Sequence, residues 1–195
     1  MEKPKTQCSK YLSWALRHGL EQLNLVPNSE GYVKLSDLIA NSDRNLVQEE
    51  IIKIVEECPK QRFGTKIING EIYIRANQGH SKSIGDLIES DNLLKKLDTP
   101  LENVFHGTYN KNLELIKSLG LNRMSRKHIH FAKSLDAASG KRSDCNLLVY
   151  VDMKKAMDDG IVFYESDNGV ILSEGIDGII PSKYLSFVNY KIKSH

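Results

Sequence analysis

The sequence predicts an α+β fold in two lobes, and three observations predict it. Residues 1–81 read as helix, helix, helix and then two strands, whereas residues 101–195 read as many short strands with few helices between them. Residues 82–100 are polar and separate the two patterns. A chain of 195 residues is long enough to give each lobe a core of its own.

The elements follow in order. "SKYLSWALRHGL", Ser9 to Leu20, reads as a helix with Ser9 at its N-cap and Gly19 near its stop. At about 100° per residue, Leu12, Ala15, Leu16 and Leu20 share one face, while Lys10, Tyr11, Trp14, Arg17 and His18 share the other. "EGYVKLSDLIAN" gives a short strand and a helix; "NLVQEEIIKIVEEC" gives a helix with apolar Leu46, Val47, Ile51, Ile54 and Val55. "RFGTKII" and "EIYIRA" alternate as strands around Asn69-Gly70, a hairpin turn signal. Three helices and a two-stranded wing make a winged-helix-like order. The connecting stretch is expected to hold a short helix around Ile84 to Leu87. Beyond it, "NVFHGT" is a strand, "NKNLELIKSLGL" a helix closed by Gly120, and "KHIHFA", "LLVYVDM", "IVFYES", "GVILSEGI" and "YLSFVNYKI" are strands of a mostly antiparallel sheet.

Composition excludes several classes. No apolar run approaches the roughly 20 residues of a spanning helix, and "MEKPKTQCSK" has no apolar region behind its charges, so neither a membrane anchor nor a signal peptide is expected. Cys8, Cys58 and Cys145 are far apart and lack CxxC spacing, which points to reduced thiols in a cytoplasmic protein without a zinc site. A net charge of +2 argues against a globally basic nucleic-acid binder. The charge is nonetheless concentrated: residues 117–142 carry seven Lys/Arg against Asp136 alone. Such a run is either a solvated face or the footprint of a local anionic ligand.

Four constellations carry chemistry. Arg17-His18 pairs a guanidinium, which binds phosphate bidentately, with an imidazole that donates to the same group; a surface helix end would also favour these cations. "IRANQGHS" closes the wing: Arg75 suits a phosphate, and Asn77, Gln78 and His80 suit sugar or backbone groups, although a polar loop capping the hairpin would use the same residues. "HGT" ends a strand, where Gly107 lets backbone N–H groups approach a ligand and His106 and Thr108 can bond ribose hydroxyls. "MSRKHIHF" gathers Arg126, His128 and His130; the two histidines would face one side of a strand, without a third ligand at metal spacing. There is no GxGxxG, GxxxxGK[ST] or GxSxG.

Taken together, "SKYLSWALRHG", "GYVKLSDL", "RFG…IRANQGHS", "HGT…IKSLGL…MSRKHIHF" and "NGVIL…GIIPSKYL" resemble the RNA 2′-phosphotransferase family, in order and over nearly the whole chain. The resemblance implies a winged-helix RNA lobe over residues 1–81, a linker over 82–100 and an ADP-ribosyltransferase-like NAD+ lobe over 101–195. It implies that the 2′-phosphate of a spliced tRNA junction attacks NAD+ and expels nicotinamide. The ADP-ribosylated RNA then resolves to 2′-OH RNA and ADP-ribose 1″,2″-cyclic phosphate. The family's Arg, His, Arg, Arg set maps to Arg17, His18, Arg75 and Arg126, with Arg142 the rival for the last place. His106, Gly107 and Thr108 would hold NAD+, with His130 and Val170 completing a His-His-hydrophobic pattern, and Lys10, Asn77, Gln78 and His80 would hold RNA. NAD+ is then a co-substrate, no metal is required, and a cytoplasmic monomer is expected. Two competitors remain: an ADP-ribosyltransferase that caps phosphorylated nucleic-acid ends, and a winged-helix regulator, which the glutamates of "NLVQEEIIKIVEEC" disfavour.

Overall fold

A computed structural model describes residues 4–190, and its close contacts divide the chain into two compact units, Met1–Leu93 and Leu94–His195. The protein is mixed α/β, and every strand pairing among the described residues is antiparallel.

The first unit runs α1 (Pro4–His18), β1 (Val33–Lys34), α2 (Leu35–Ala40), α3 (Gln48–Glu56), β2 (Phe63–Ile68), β3 (Glu71–Ala76), α4 (Lys82–Gly85) and α5 (Ser90–Leu93). Helix α1 starts five residues before the expected Ser9 cap: the Ser13 hydroxyl donates to the Ser9 carbonyl, so Ser9 sits inside the helix as an ordinary member. The polar run before it carries no hydrophobic period by which a start could be read. Leu12, Ala15, Leu16 and Leu20 are buried as their spacing requires, each leucine contributing roughly 1.5–3 kcal/mol of burial. The opposite face is not uniformly polar, because Tyr11 is buried too and its hydroxyl accepts from Ser42. In the hairpin, Asn69 and Gly70 have φ of 51° and 80°. Positive φ at both positions is the geometry whose twist matches paired strands. Strand β3 is central, between β1 and β2. That position buries its C-terminal half from Ile74 to Asn77.

The second unit contains β4 (Lys95–Lys96), β5 (Phe105–Thr108), a 3₁₀ turn at Asn110–Asn112, α6 (Leu113–Leu119), β6 (Leu121–Asn122), β7 (Ile129–Phe131), β8 (Leu147–Val151), α7 (Met153–Asp158), β9 (Tyr164–Glu165), β10 (Ile171–Ser173), β11 (Ile179–Ile180), a second turn at Ser182–Tyr184 and β12 (Leu185–Asn189). The strands form sheets ordered β4-β9-β10-β7, β11-β6 and β12-β8-β5. An isolated bridge from Phe105 to Ala132 joins the last sheet to the end of β7. The core between them includes Phe131, Phe163, Val149, Met153 and Ile171. Helix α7, hidden in sequence because it is only six residues long, is capped by Asp152, whose carboxylate accepts from the Lys155 amide at 3.0 Å. Gly120 closes α6 with φ 85°, and a side chain there would strike the Ile180 carbonyl. The expected last strand continues into Lys191 and Ile192, which lie outside the described residues.

Candidate functional site

In the first unit α1 and the segment leaving β3 are tied together at their polar ends. The Ser81 amide and hydroxyl both donate to the Arg17 carbonyl, at 2.9 and 3.2 Å. Gly79 has φ 91°, and a side chain there would stand 3.2 Å from the Arg17 Nε, so the guanidinium arm lies across the glycine backbone. That contact explains the glycine in "NQGHS": a substituent would both strain the backbone and displace the arginine.

Arg75 is buried, which is rare for arginine without compensating contacts. Its Nη1 donates to the Glu30 carbonyl at 2.9 Å, and its guanidinium stands 4.5 Å from the centre of the Tyr32 ring. Both supports come from the loop and strand of "EGYVK", brought alongside because Val33 pairs with Ile74. Opposite Arg75 in the ladder is Gly64, where a side chain would crowd the Asn77 Oδ1 at 3.0 Å. Asn77 donates its amide to Gln61 and leaves that buried oxygen without a hydrogen-bond partner. A buried amide oxygen in that state is a ready acceptor for a ligand hydroxyl or N–H. His80 is buried, Gln78 is half-buried, and Lys10 and His18 are exposed.

In the second unit the β5–β7 junction builds a different arrangement. The His106 Nδ1–H donates to the His130 carbonyl at 2.8 Å. Burial pushes the His106 imidazole below its ordinary value, and the Arg142 and Arg126 guanidiniums push it further, against the opposing effect of the His130 carbonyl. A neutral ring whose Nδ1 carries the proton presents Nε2 as an acceptor, suited to a sugar hydroxyl. Arg126 is lowered by burial and then by Arg142. The two arginines that sequence could only treat as rivals therefore lie within electrostatic reach of each other and of His106. No carboxylate figures among the influences on either group. Two guanidiniums gathered beside an imidazole suit an anionic ligand.

The other residues of this unit fall as follows. The Thr108 hydroxyl accepts from Asn112 at 3.0 Å. Gly107 is needed by the chain itself, since a side chain there would stand 2.9 Å from the Cys145 Sγ. His130 sits in β7 opposite Leu172, and Val170 is buried in the turn before β10, its carbonyl accepting from Ser166. His128 lies just before β7, which begins at Ile129, and both histidines are buried. His128 faces Glu174 at 3.8 Å, sets its ring edge-on to Tyr164, and is pushed down to about 4 by burial, Lys127 and Arg123. Sequence inspection missed Tyr32, the Glu30 carbonyl and the His128–Glu174 pair. The alternation of "GYVK" marked a strand, but nothing local told which strand it joins. Among the described residues no group of three or more His, Cys, Asp and Glu gathers to hold a metal, and no helix is long and apolar enough to cross a membrane.

A fold of this order with a guanidinium-lined first unit and a His/Arg second unit has a family. The profile described as RNA 2′-phosphotransferase, Tpt1 / KptA family matches residues 3–175, and the chain belongs to that family of enzymes. It is 40% identical to the tRNA 2′-phosphotransferase 1 of Danio rerio, over 95% of this chain and 85% of that protein. To the probable RNA 2′-phosphotransferase of Rhizobium leguminosarum bv. trifolii it is 35% identical, over 94% and 95% of the two chains. A putative tRNA 2′-phosphotransferase of Schizosaccharomyces pombe is 39% identical over 92% of this chain, which spans 50% of that longer protein.

Proposed function

We propose that this protein removes an internal 2′-phosphate from RNA, such as a spliced tRNA junction, and passes it to NAD+. The first unit is then a winged-helix-like RNA lobe and the second an ADP-ribosyltransferase-like lobe for NAD+, working in the cytoplasm. The observation that carries the reading is a pair of arginines on separate elements: Arg75 on β3, its guanidinium held by the Glu30 carbonyl and the Tyr32 ring, and Arg17 on α1, whose backbone carbonyl is tied to Ser81 and whose guanidinium lies over Gly79 in the loop that leaves β3. Two planar forks on a supported frame suit a phosphate with several oxygens to satisfy.

In this reading Arg17 and Arg75 orient the 2′-phosphate, and Asn77 accepts from its nucleotide through the buried oxygen that the protein leaves available. His18 bonds the phosphate or moves a proton at the ribose hydroxyl, and Lys10, Gln78 and His80 bind the flanking backbone. A phosphate dianion is already a nucleophile, so orientation is the main requirement at first and stabilisation of charge on phosphorus later. In the second unit, neutral His106 accepts from a ribose hydroxyl, Arg126 and Arg142 hold the diphosphate, and Gly107, Thr108, His130 and Val170 shape the pocket wall. When bound, NAD+ supplies the ADP-ribosyl group that takes up the phosphate.

Incubation with NAD+ and an oligonucleotide carrying one internal 2′-phosphate tests this. The expected products are nicotinamide, 2′-OH RNA and ADP-ribose 1″,2″-cyclic phosphate. Nicotinamide release with an ADP-ribosylated RNA that persists would instead establish a capping ADP-ribosyltransferase. The absence of both sinks the proposal.

A further inference from the structure

Helix α1 carries a stripe that the phosphate residues do not exhaust. Gln7, Lys10, Tyr11 and Trp14 line an open groove of about 460 Å³, completed by Asp43 and Arg44 from the loop between α2 and α3. Continuing the same spacing from Trp14 reaches Arg17 and His18, about one helical turn (roughly 5.4 Å) further along. The groove therefore shares its helix face with the inferred phosphate ligands.

Trp14 is 40% exposed, an unusual position for the largest apolar side chain on a polar face. It is held in place. Its indole lies against the Gly19 backbone, with three ring atoms 2.9–3.1 Å from where a side chain on Gly19 would begin. Its other neighbour is Tyr11, at 5.6 Å between ring centres and tilted by 44°. Arg44 stands 5.1 Å over the Tyr11 ring, with its Nε 4.0 Å from the Asp43 carboxylate. A rigid, half-exposed ring flanked by Lys10 and Arg44 is the combination that single-stranded nucleic acid uses: a stacking platform with cations beside it for the backbone.

We propose that Trp14 stacks on a nucleobase flanking the 2′-phosphate, with Lys10 and Arg44 set for the adjoining backbone phosphates. The proposal rests on the RNA reading of the first unit. It assigns the substrate as a single-stranded or unpaired segment, because a base buried in a duplex has no free face for the indole. Gly19 acquires a function as well, since any side chain there would push the platform out of place.

Trp14 is the sole tryptophan, so its fluorescence reports the groove directly. Titration of the full chain with a short single-stranded RNA bearing an internal 2′-phosphate should quench it, and a fully paired duplex of the same sequence should not. Trp14→Ala should raise the KM for that RNA roughly tenfold, the scale of one lost base stack, and leave the KM for NAD+ where it was. Trp14→Phe, which keeps a stacking face, should recover most of the loss. Arg44→Ala should lower the slope of log affinity against log salt by about 0.7. RNA that is turned over without quenching, or an unchanged RNA KM in Trp14→Ala, overturns the platform while leaving the proposed reaction standing. Quenching by RNA without any turnover keeps the platform and overturns the reaction. Quenching by polyglutamate with none by RNA would assign the groove to an acidic peptide and overturn the proposal.

Discussion

The two units hold arginine in opposite ways. In the first, Arg75 is buried against the Tyr32 ring and bonded to the Glu30 carbonyl, so its direction is set before any ligand arrives. In the second, Arg126 and Arg142 have exposed side chains near His106; Arg142 stands 5.6 Å from the centre of the Tyr109 ring, and its charge opposes that of Arg126. The first arrangement is buried and fixed by a hydrogen bond as well as a ring contact, and the second is exposed, with like charges close enough that an anion would relieve them. The asymmetry suits a phosphate that must be held in a strict attacking geometry on one side and an anionic ligand held by charge on the other.

The largest expected effect comes from breaking the preorganised side. Arg17→Ala and Arg75→Ala should each abolish 2′-phosphate removal: losing a charge-assisted bond costs about 1.5–3 kcal/mol in binding, and more where charge develops in the transition state. Arg75→Ala should also lower unfolding stability by roughly 1–3 kcal/mol, because it gives up the bond to Glu30 and the Tyr32 contact. Single-turnover assays beside urea melts check both, and near-normal turnover by either variant would falsify the clamp. Arg75→Lys keeps the charge without the fork; on a denaturing gel it should accumulate ADP-ribosylated RNA.

Acid gives the next effect, because His106 and His128 are both held below the ordinary value of 6.5 in the second unit. Below pH 6.5 the unfolded chain takes up a proton that folded His128 refuses until about 4. Stability should therefore fall as pH drops from 6.5 towards 4 and level off below, by up to about 3 kcal/mol from this residue. Urea midpoints for the wild type and His128→Gln across that range test it. Parallel curves for the two proteins would refute the assignment.

On the like-charge side, Arg142→Ala should weaken NAD+ binding about tenfold, the loss of one charged contact. Its stability should fall by no more than about 1 kcal/mol, since the exposed guanidinium gives up only its contact with the Tyr109 ring. In the same variant the His106 imidazole should titrate closer to its ordinary value, visible by NMR, since one of the charges depressing it is gone. A large drop in melting temperature would show that Arg142 holds the fold and not a ligand. The smallest effect is Gly70→Ala, where φ is 80° and nothing lies within 4 Å; backbone strain alone should cost about 1 kcal/mol, with catalysis unchanged.

Sequence alone determined what depends on neighbours in the chain. The Asn69-Gly70 turn, the Gly120 stop and the buried stripe of α1 were legible because turn geometry and helical period are local. Arg17 and Arg75 were legible as phosphate ligands on two separate elements from residue type and position, and the resemblance to a known family joined their blocks in one site. Tertiary structure decided what depends on strand pairing. Val33 opposite Ile74 brings Tyr32 and Glu30 under Arg75, and the Phe105–Ala132 bridge sets His106 on the His130 carbonyl. Whether Arg126 or Arg142 takes the last place of the Arg, His, Arg, Arg set could not be read from spacing, and neither could the nearness of both to His106, since the two arginines stand sixteen positions apart in the chain. The fold brings both within reach, because electrostatic influence acts through space and a sequence records only the order along the backbone.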